Sequence, residues 1–227
     1  MTKLTASVLK TPILKAPKLY LLTNDDEFEL LYAKLEIALA TGLIGLLQVR
    51  RKQMLALPDG QEKLYNEAIK IVALAKEYRV PVVINDDITM AAKLGIGVHL
   101  GQQDGDISEA KRQLNVDQII GRTCHGDIEL IEAAQNDGAN YAAMGAIFVS
   151  STKPNASTIS LQQLIDGCQK KIDICIIGGL TVENIRQLAG LPINYIAVVG
   201  DIMDLPVESI AKRCRQWQQA LNDWSVV

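Results

Sequence analysis

Residues 81–104 read PVVINDDITMAAKLGIGVHLGQQD. Pro81 opens a nearly apolar run, Val82–Asn85, that stops at Asn85-Asp86-Asp87. Met90, Ala91 and Leu94 then share one face of a short helix. Gly97–Leu100 is a second strand, and it ends in Gly101-Gln102-Gln103-Asp104. Two short strands without the polar alternation of a half-exposed sheet, joined by a helix, make a unit of a parallel sheet buried on both faces.

The same alternation extends in both directions. Upstream, a strand over 18–23 precedes a helix with Phe28, Leu31, Leu35, Ala38 and Leu39 on one face. Gly42 and Gly45 end that helix, and a strand over 46–50 follows. Leu64, Ala68, Ile71, Ala75 and Tyr78 form the next helical stripe. Downstream come a weak helix over 108–114 and a strand over 118–121. A helix over 127–137, a strand over 141–148 and a helix over 160–169 follow. Then come a strand over 174–177, a helix over 182–188 and a strand over 195–199. The last helix carries Ile210, Cys214, Trp217 and Leu221. Eight strand–helix units favour the closed (β/α)8 TIM barrel, an α/β fold, over an open doubly wound sheet. The chain reads as a single barrel domain over 18–227, with 1–17 as an extension or an extra helix at the barrel bottom.

The 227 residues are 48% hydrophobic and 22% charged, enough for one large core and not a disordered composition. Lys and Arg number 23 against 26 acidic residues, a net charge of −3, which excludes a general nucleic-acid or anionic-membrane binder but not a local phosphate site. The longest uncharged apolar run, about 37–49, contains Thr41, Gly42 and Gly45 and is too short to span a membrane. Cys124, Cys168, Cys175 and Cys214 form no CxxC pair and read as reduced packing residues of a cytoplasmic protein.

In a (β/α)8 barrel, chemistry sits at the C-terminal strand ends. The reactive residues of this sequence collect there: Gln48, Arg50, Arg51 and Lys52; Asn85, Asp86 and Asp87; Asp104; Arg122 and Thr123; Ser150 to Lys153; Gly178-Gly179; and Gly200. Asp86 and Asp104 follow successive strands. Their like charges would be reconciled by a hard cation such as Mg²⁺, or each could cap a following helix; Asp87 or Asp106 could do that capping instead. Gly178-Gly179 and Gly200 suit close approach of an anion to backbone N–H groups. His99 reads as a satisfied residue of the barrel interior. His125, just past a strand, is a candidate for proton transfer.

The runs Gln48 to Lys52, Ile84 to Asp86, Gly97 to Asp104, Gly145 to Phe148 with Ser151-Thr152-Lys153, and Ile177 to Leu180 resemble the thiamine phosphate synthase family, in that family's order, over most of 18–202. The resemblance implies a (β/α)8 transferase that joins hydroxymethylpyrimidine diphosphate to a thiazole phosphate and releases diphosphate. It implies that Gln48, Arg50, Lys52, Asn85, Thr123 and Lys153 bind the pyrimidine diphosphate. Of these, Lys52 and Lys153 would act in catalysis. Asp86 and Asp104 would bind Mg²⁺. Ser150, Ser151, Thr152, Gly178, Gly179, Val199 and Gly200 would hold the thiazole phosphate. The partners implied are small phosphorylated molecules, without nucleic acid or membrane, and a homo-oligomer is compatible.

Several positions depart from the family pattern. Thr123 stands where serine is usual, Ser150 where threonine is common, and Gly200 where a serine hydroxyl is common. No glycine lies in 154–158, and Arg122 is bulkier than expected. Two other readings remain: a thiazole tautomerase of the same superfamily, with His125 as base, and a non-catalytic thiamine-phosphate-binding barrel.

Overall fold

In the computed structural model, which describes residues 16–149, 157–222 and 224, the strands are β1 (Lys18–Leu22), β2 (Ile44–Val49), β3 (Val82–Asn85), β4 (Gly97–Leu100), β5 (Ile120–Thr123), β6 (Tyr141–Met144), β7 (Asp173–Ile177) and β8 (Tyr195–Val198). They pair in chain order, all parallel, and β8 closes on β1 with Lys18 beside Tyr195 and Leu21 beside Val198. The closed (β/α)8 barrel expected from the alternation is therefore the fold. The expected extension over 1–17 lies almost wholly outside the described residues.

Around the barrel run α1 (Phe28–Ala40), α2 (Lys52–Leu55), α3 (Gly60–Glu77), α4 (Ile88–Leu94), α5 (Ile107–Gln113), α6 (Ile128–Asp137), α7 (Leu161–Cys168), α8 (Gly200–Met203) and α9 (Val207–Asn222). Successive strand residues point to opposite sides, which gives two cores. Leu19 and Leu21 face outward, against helix residues such as Leu35, Ile71, Ile131 and Trp217. Tyr20 and Leu22 face inward, with Leu46, Val83, Tyr141, Ala143, Cys175 and Ala197. Strands packed on both sides need apolar side chains at nearly every position.

The differences from the sequence expectations are local and have visible causes. β5 begins at Ile120 because a turn occupies 115–118, closed by Gln118 N–H to the Asn115 carbonyl (3.0 Å) and Asn115 N–H to Gln118 Oε1 (2.5 Å). Thr123 thus lies within the strand. β6 stops at Met144, and 145–149 runs on as a loop held to the end of β7 by Ile147 N–H to the Ile177 carbonyl (3.0 Å) and Phe148 N–H to the Gly178 carbonyl (2.9 Å). The helix expected over 182–188 is only a 3₁₀ turn, Ile185–Leu188. Reciprocal hydrogen bonds between Thr181 and Asn184 shape its start. Tyr78 caps α3 at the surface instead of joining its buried stripe. The one-turn helices α2 and α8 carry too few residues for a periodic signal.

Gly121 of β5 lies beside Tyr141 of β6, and a Cβ at Gly121 would overlap the Tyr141 ring. Gly121→Ala should therefore destabilise the fold by about 1–3 kcal/mol, the scale of overpacking a filled core. Urea unfolding checks this; an unchanged midpoint would show that the barrel interior has slack at this layer.

Candidate active site

The end of β2 and the turn after it deliver five successive residues to different places. Gln48 points into the barrel and is buried, while Val49 joins the outer core. The Arg50 backbone is held to the loop after β1 by its N–H to Thr23 Oγ1 (2.8 Å). Arg51 turns away from the mouth. Its guanidinium donates to the carbonyls of Asn24 (3.0 Å) and Asp26 and pairs with Glu67 (3.1 Å). Burial pushes the Glu67 carboxyl above its ordinary pKa, against the opposing pull of Arg51. The Arg51–Glu67 pair therefore anchors the loop after β1. Lys52, half-exposed, brings its Nζ to 3.4 Å from Asp86 Oδ2.

Asp86 follows β3 with a left-handed backbone, φ 67°, and accepts a hydrogen bond from Asn85 Nδ2 (2.5 Å). Asp104 meets it across Gly101. A Cβ at Gly101 would overlap Asp104 Oδ2 and lie 3.8 Å from Asp86 Oδ1, so the glycine keeps the space between the carboxylates clear. Burial raises the Asp104 pKa, and the neighbouring Asp86 charge raises it further. At α4 the capping falls to Asp87, whose Oδ1 accepts the Met90 N–H (2.7 Å). Asp106 stands at the start of α5 without a side-chain cap. Two carboxylates that converge within hydrogen-bond reach of one another suit Mg²⁺, which takes one or two carboxylates and fills its octahedron with water and phosphate. No cluster of three or more His, Cys, Asp or Glu able to hold a metal occurs among the described residues.

The turn bearing Asp104 is tied to β5. Arg122 donates from Nη1 to the Gly105 carbonyl (2.7 Å) and from Nη2 to the Gln102 carbonyl (3.3 Å), and Gln102 Nε2 donates to the Thr123 carbonyl. The bulk of Arg122 thus has a use: it bridges the two ends of the segment that presents Asp104.

Below the carboxylates a chain of polar side chains crosses the barrel. Gln48 Nε2 donates to the Tyr20 hydroxyl (2.8 Å), which bonds the Tyr141 hydroxyl (2.8 Å). Tyr141 bonds His99 Nδ1 (2.8 Å), and His99 Nε2 bonds Thr123 Oγ1 (2.9 Å). Desolvation lowers the His99 pKa to about 4, against the opposing effect of the Asp86 charge. His99 is therefore neutral near pH 7. His99 was legible as a satisfied interior residue, but Tyr20 and Tyr141 were not among the expected site residues; polar rings at inward positions of apolar strands were their only signal. His125 is exposed in a left-handed turn, φ 53°.

At the opposite rim, Gly178 (φ 107°) and Gly179 (φ 62°) pass under the loop after β6. A Cβ on Gly178 would come within 2.6 Å of Ala146 Cα, and one on Gly179 within 2.6 Å of the Phe148 carbonyl oxygen. The expected helix N-terminus beyond them is absent. Val199 and Gly200 instead open α8, whose first N–H groups lack intrahelical partners. Ser150, Ser151, Thr152 and Lys153, and positions 154–156 of the following loop, lie outside the described residues.

These features define the class: a (β/α)8 barrel enzyme whose C-terminal rim sets paired carboxylates beside a lysine, with a glycine turn packed under the loop after β6. The thiamine monophosphate synthase family model matches residues 19–202, and the chain belongs to that family, a transferase by the names of its relatives. A thiamine-phosphate synthase of Methylobacillus flagellatus is 33% identical over 205 residues, covering 90% of this chain and 95% of that protein. One from Aromatoleum aromaticum is 38% identical over 192 residues, covering 83% and 89%. The structure of a thiamine phosphate pyrophosphorylase from Pyrococcus furiosus superposes with a TM-score of 0.76 at 25% identity, covering 92% of this chain and 97% of that one. A 3-keto-L-gulonate-6-phosphate decarboxylase from Vibrio cholerae, at 13% identity and a TM-score of 0.68 over 92% and 99% of the chains, shares the fold alone.

Arg122→Leu removes both bridges to the Asp104 turn while leaving an apolar stem. Amide hydrogen exchange over 101–106 should then quicken by about tenfold, the scale of losing roughly one net hydrogen bond to local opening. Unchanged exchange there would show that Gln102 alone holds the turn.

Proposed function

We propose that this chain couples hydroxymethylpyrimidine diphosphate with a thiazole phosphate to give thiamine phosphate and diphosphate, with Mg²⁺ assisting diphosphate departure. The observation that carries this reading is the grouping of Lys52, Asn85 and Asp104 around Asp86, whose charge is felt at His99 in the Gln48–Thr123 chain. That group suits a metal-bound diphosphate, and the polar chain suits a heteroaromatic ring.

Asp86 and Asp104 would hold the Mg²⁺, which when bound neutralises charge developing on the leaving diphosphate. Arg50, Lys52 and Lys153 would share that charge, Lys153 by family resemblance. Gln48 and Thr123 would orient the pyrimidine, and Asn85 would bond both Asp86 and a diphosphate oxygen. The methylene C–O bond breaks with its electron pair leaving on diphosphate. The thiazole nitrogen lone pair then forms the new C–N bond. No proton is taken from carbon and no protein nucleophile is used, so positioning and electrostatics account for the rate. Ser150, Ser151, Thr152, the Gly178-Gly179 turn, Val199 and Gly200 would hold the thiazole phosphate. The four free cysteines, three of them buried, accord with a cytoplasmic setting, and no helix among the described residues is long and apolar enough to cross a membrane.

Incubation with both precursors and Mg²⁺ should release diphosphate and form thiamine phosphate. EDTA should stop turnover, and Asp86→Ala or Asp104→Ala should abolish it or greatly raise the Mg²⁺ requirement. Turnover that EDTA leaves untouched sinks the metal assignment. Lys153→Ala should lower kcat by about 10²-fold, the scale of one lost charge-stabilising donor; weaker binding at an unchanged kcat argues against that role.

His125→Asn tests the tautomerase reading. Coupling should stay within about tenfold of the wild type, well short of the roughly 10²–10⁴-fold loss expected on removing a general base. Absent coupling in the wild type, with fast His125-dependent thiazole isomerisation, would put the tautomerase in its place.

A further inference from the structure

The polar chain in the barrel has a direction. Tyr20 and Tyr141 each have two hydrogen-bond partners, and each phenol has one hydrogen. Both are sealed from water, and desolvation raises both hydroxyl pKa values well above the ordinary phenol range, so both stay protonated. Each must therefore donate one bond and accept one. At His99 a ring nitrogen that accepts leaves the hydrogen on the other, which then donates. The chain from residue 48 to residue 123 can then run only all one way or all the other.

The Gln48 end decides between these. Its amide nitrogen faces Tyr20 and donates. Tyr20 then donates to Tyr141, and Tyr141 donates to His99 Nδ1. His99 carries its hydrogen on Nε2 and donates to Thr123 Oγ1. With that oxygen accepting from His99, the Thr123 hydroxyl hydrogen is left without an acceptor among the described residues, and it is directed elsewhere.

The geometry points to Tyr20, Tyr141 and His99 as a directional relay of positioning residues. It makes the residue-123 hydroxyl a hydrogen-bond donor to the substrate ring and so selects a ring bearing a bare nitrogen acceptor at that edge. This rests on the reading of the site as a pyrimidine site. A ring carrying N–H at the same edge, as in an oxo-pyrimidine, would meet a donor with a donor and leave both unpaired. Reversing the relay would invert the preference. The relay also explains why phenols occupy inward positions of apolar strands, and why β5 carries Gly121, which makes room for the Tyr141 ring.

The test uses the full-length protein. The chain has two histidines, so His125→Asn leaves one imidazole to observe. Nitrogen-15 NMR near pH 7 should show His99 as the neutral Nε2–H tautomer, and Tyr141→Phe should move it toward a mixture with Nδ1–H. Steady-state kinetics form the second arm. Tyr141→Phe should raise the KM for the pyrimidine diphosphate by about tenfold, the scale of one hydrogen bond, and leave the KM for the thiazole phosphate within twofold. Added to Thr123→Val, Tyr141→Phe should cost less than threefold more, because the two act through one group. Tyr20→Phe, in which the Gln48 end no longer sets the direction, should reproduce the tautomer change and serves if Tyr141→Phe folds poorly. An Nδ1–H tautomer in the wild type, or a tautomer and KM untouched by either tyrosine variant, overturns the relay. Absent coupling in the wild type overturns the reaction instead, and the NMR arm still decides the relay.

Discussion

Closing a sheet into a barrel seals its interior from water, and every polar group sent inside must then find a partner there. An unpartnered buried phenol or imidazole costs about 1–3 kcal/mol. Tyr20, Tyr141 and His99 meet that demand in one another, and the two ends of their chain, Gln48 and Thr123, stand on β2 and β5. The constraint links the depth of the barrel to its mouth. A slip in the register of β1, β4 or β6 would break the chain, so the strand alignment and the orientation of the site side chains are held by the same bonds.

Above that layer, long cationic side chains fasten the rim loops. Arg51 holds the loop after β1 through the carbonyls of Asn24 and Asp26. Lys34, buried, reaches Asp26 and the Met203 carbonyl, each at 2.6 Å, and so ties that loop to α8. Arg122 holds the turn after β4. Arg213 bonds Asp201 at 2.6 Å and Glu183 at 2.7 Å, while Trp217 Nε1 donates to the other Asp201 oxygen at 2.7 Å, fixing the helix that Gly200 opens. Arg213 also depresses the Glu183 pKa to about 2. The turn that presents Asp104 and the helix that Gly200 opens are therefore each set by an arginine outside the proposed ligands. This ordering in advance is what catalysis by positioning requires.

The basic run after β2 shows how the fold divides neighbouring residues of one type. Arg50, Arg51 and Lys52 are adjacent and chemically similar, yet Arg51 is buried against Glu67 while Lys52 reaches toward Asp86. Nothing in their composition separates them. The strand ends at Val49 and α2 begins at Lys52, and that reversal sends successive side chains to opposite sides of the rim.

The eight-fold alternation, the two-sided burial of the strands, the collection of reactive residues at strand ends and the pairing of Asp86 with Asp104 could all be read from sequence. Each rests on local periodicity or on the order of strands, and a parallel barrel preserves both. The helix expected after Ile177 could not be judged that way, because bonds between Thr181 and Asn184 shape that turn. Nor could the placement of Thr123 inside β5, which follows a turn that Gln118 closes through both its backbone and its side chain. The roles of Arg51 and Arg122, and the union of Tyr20, Tyr141 and His99 from three strands, were decided by tertiary structure alone. Tyr20 and Tyr141 are 121 positions apart in the chain, and a hydrogen bond across that separation exists only once the barrel has closed around both rings.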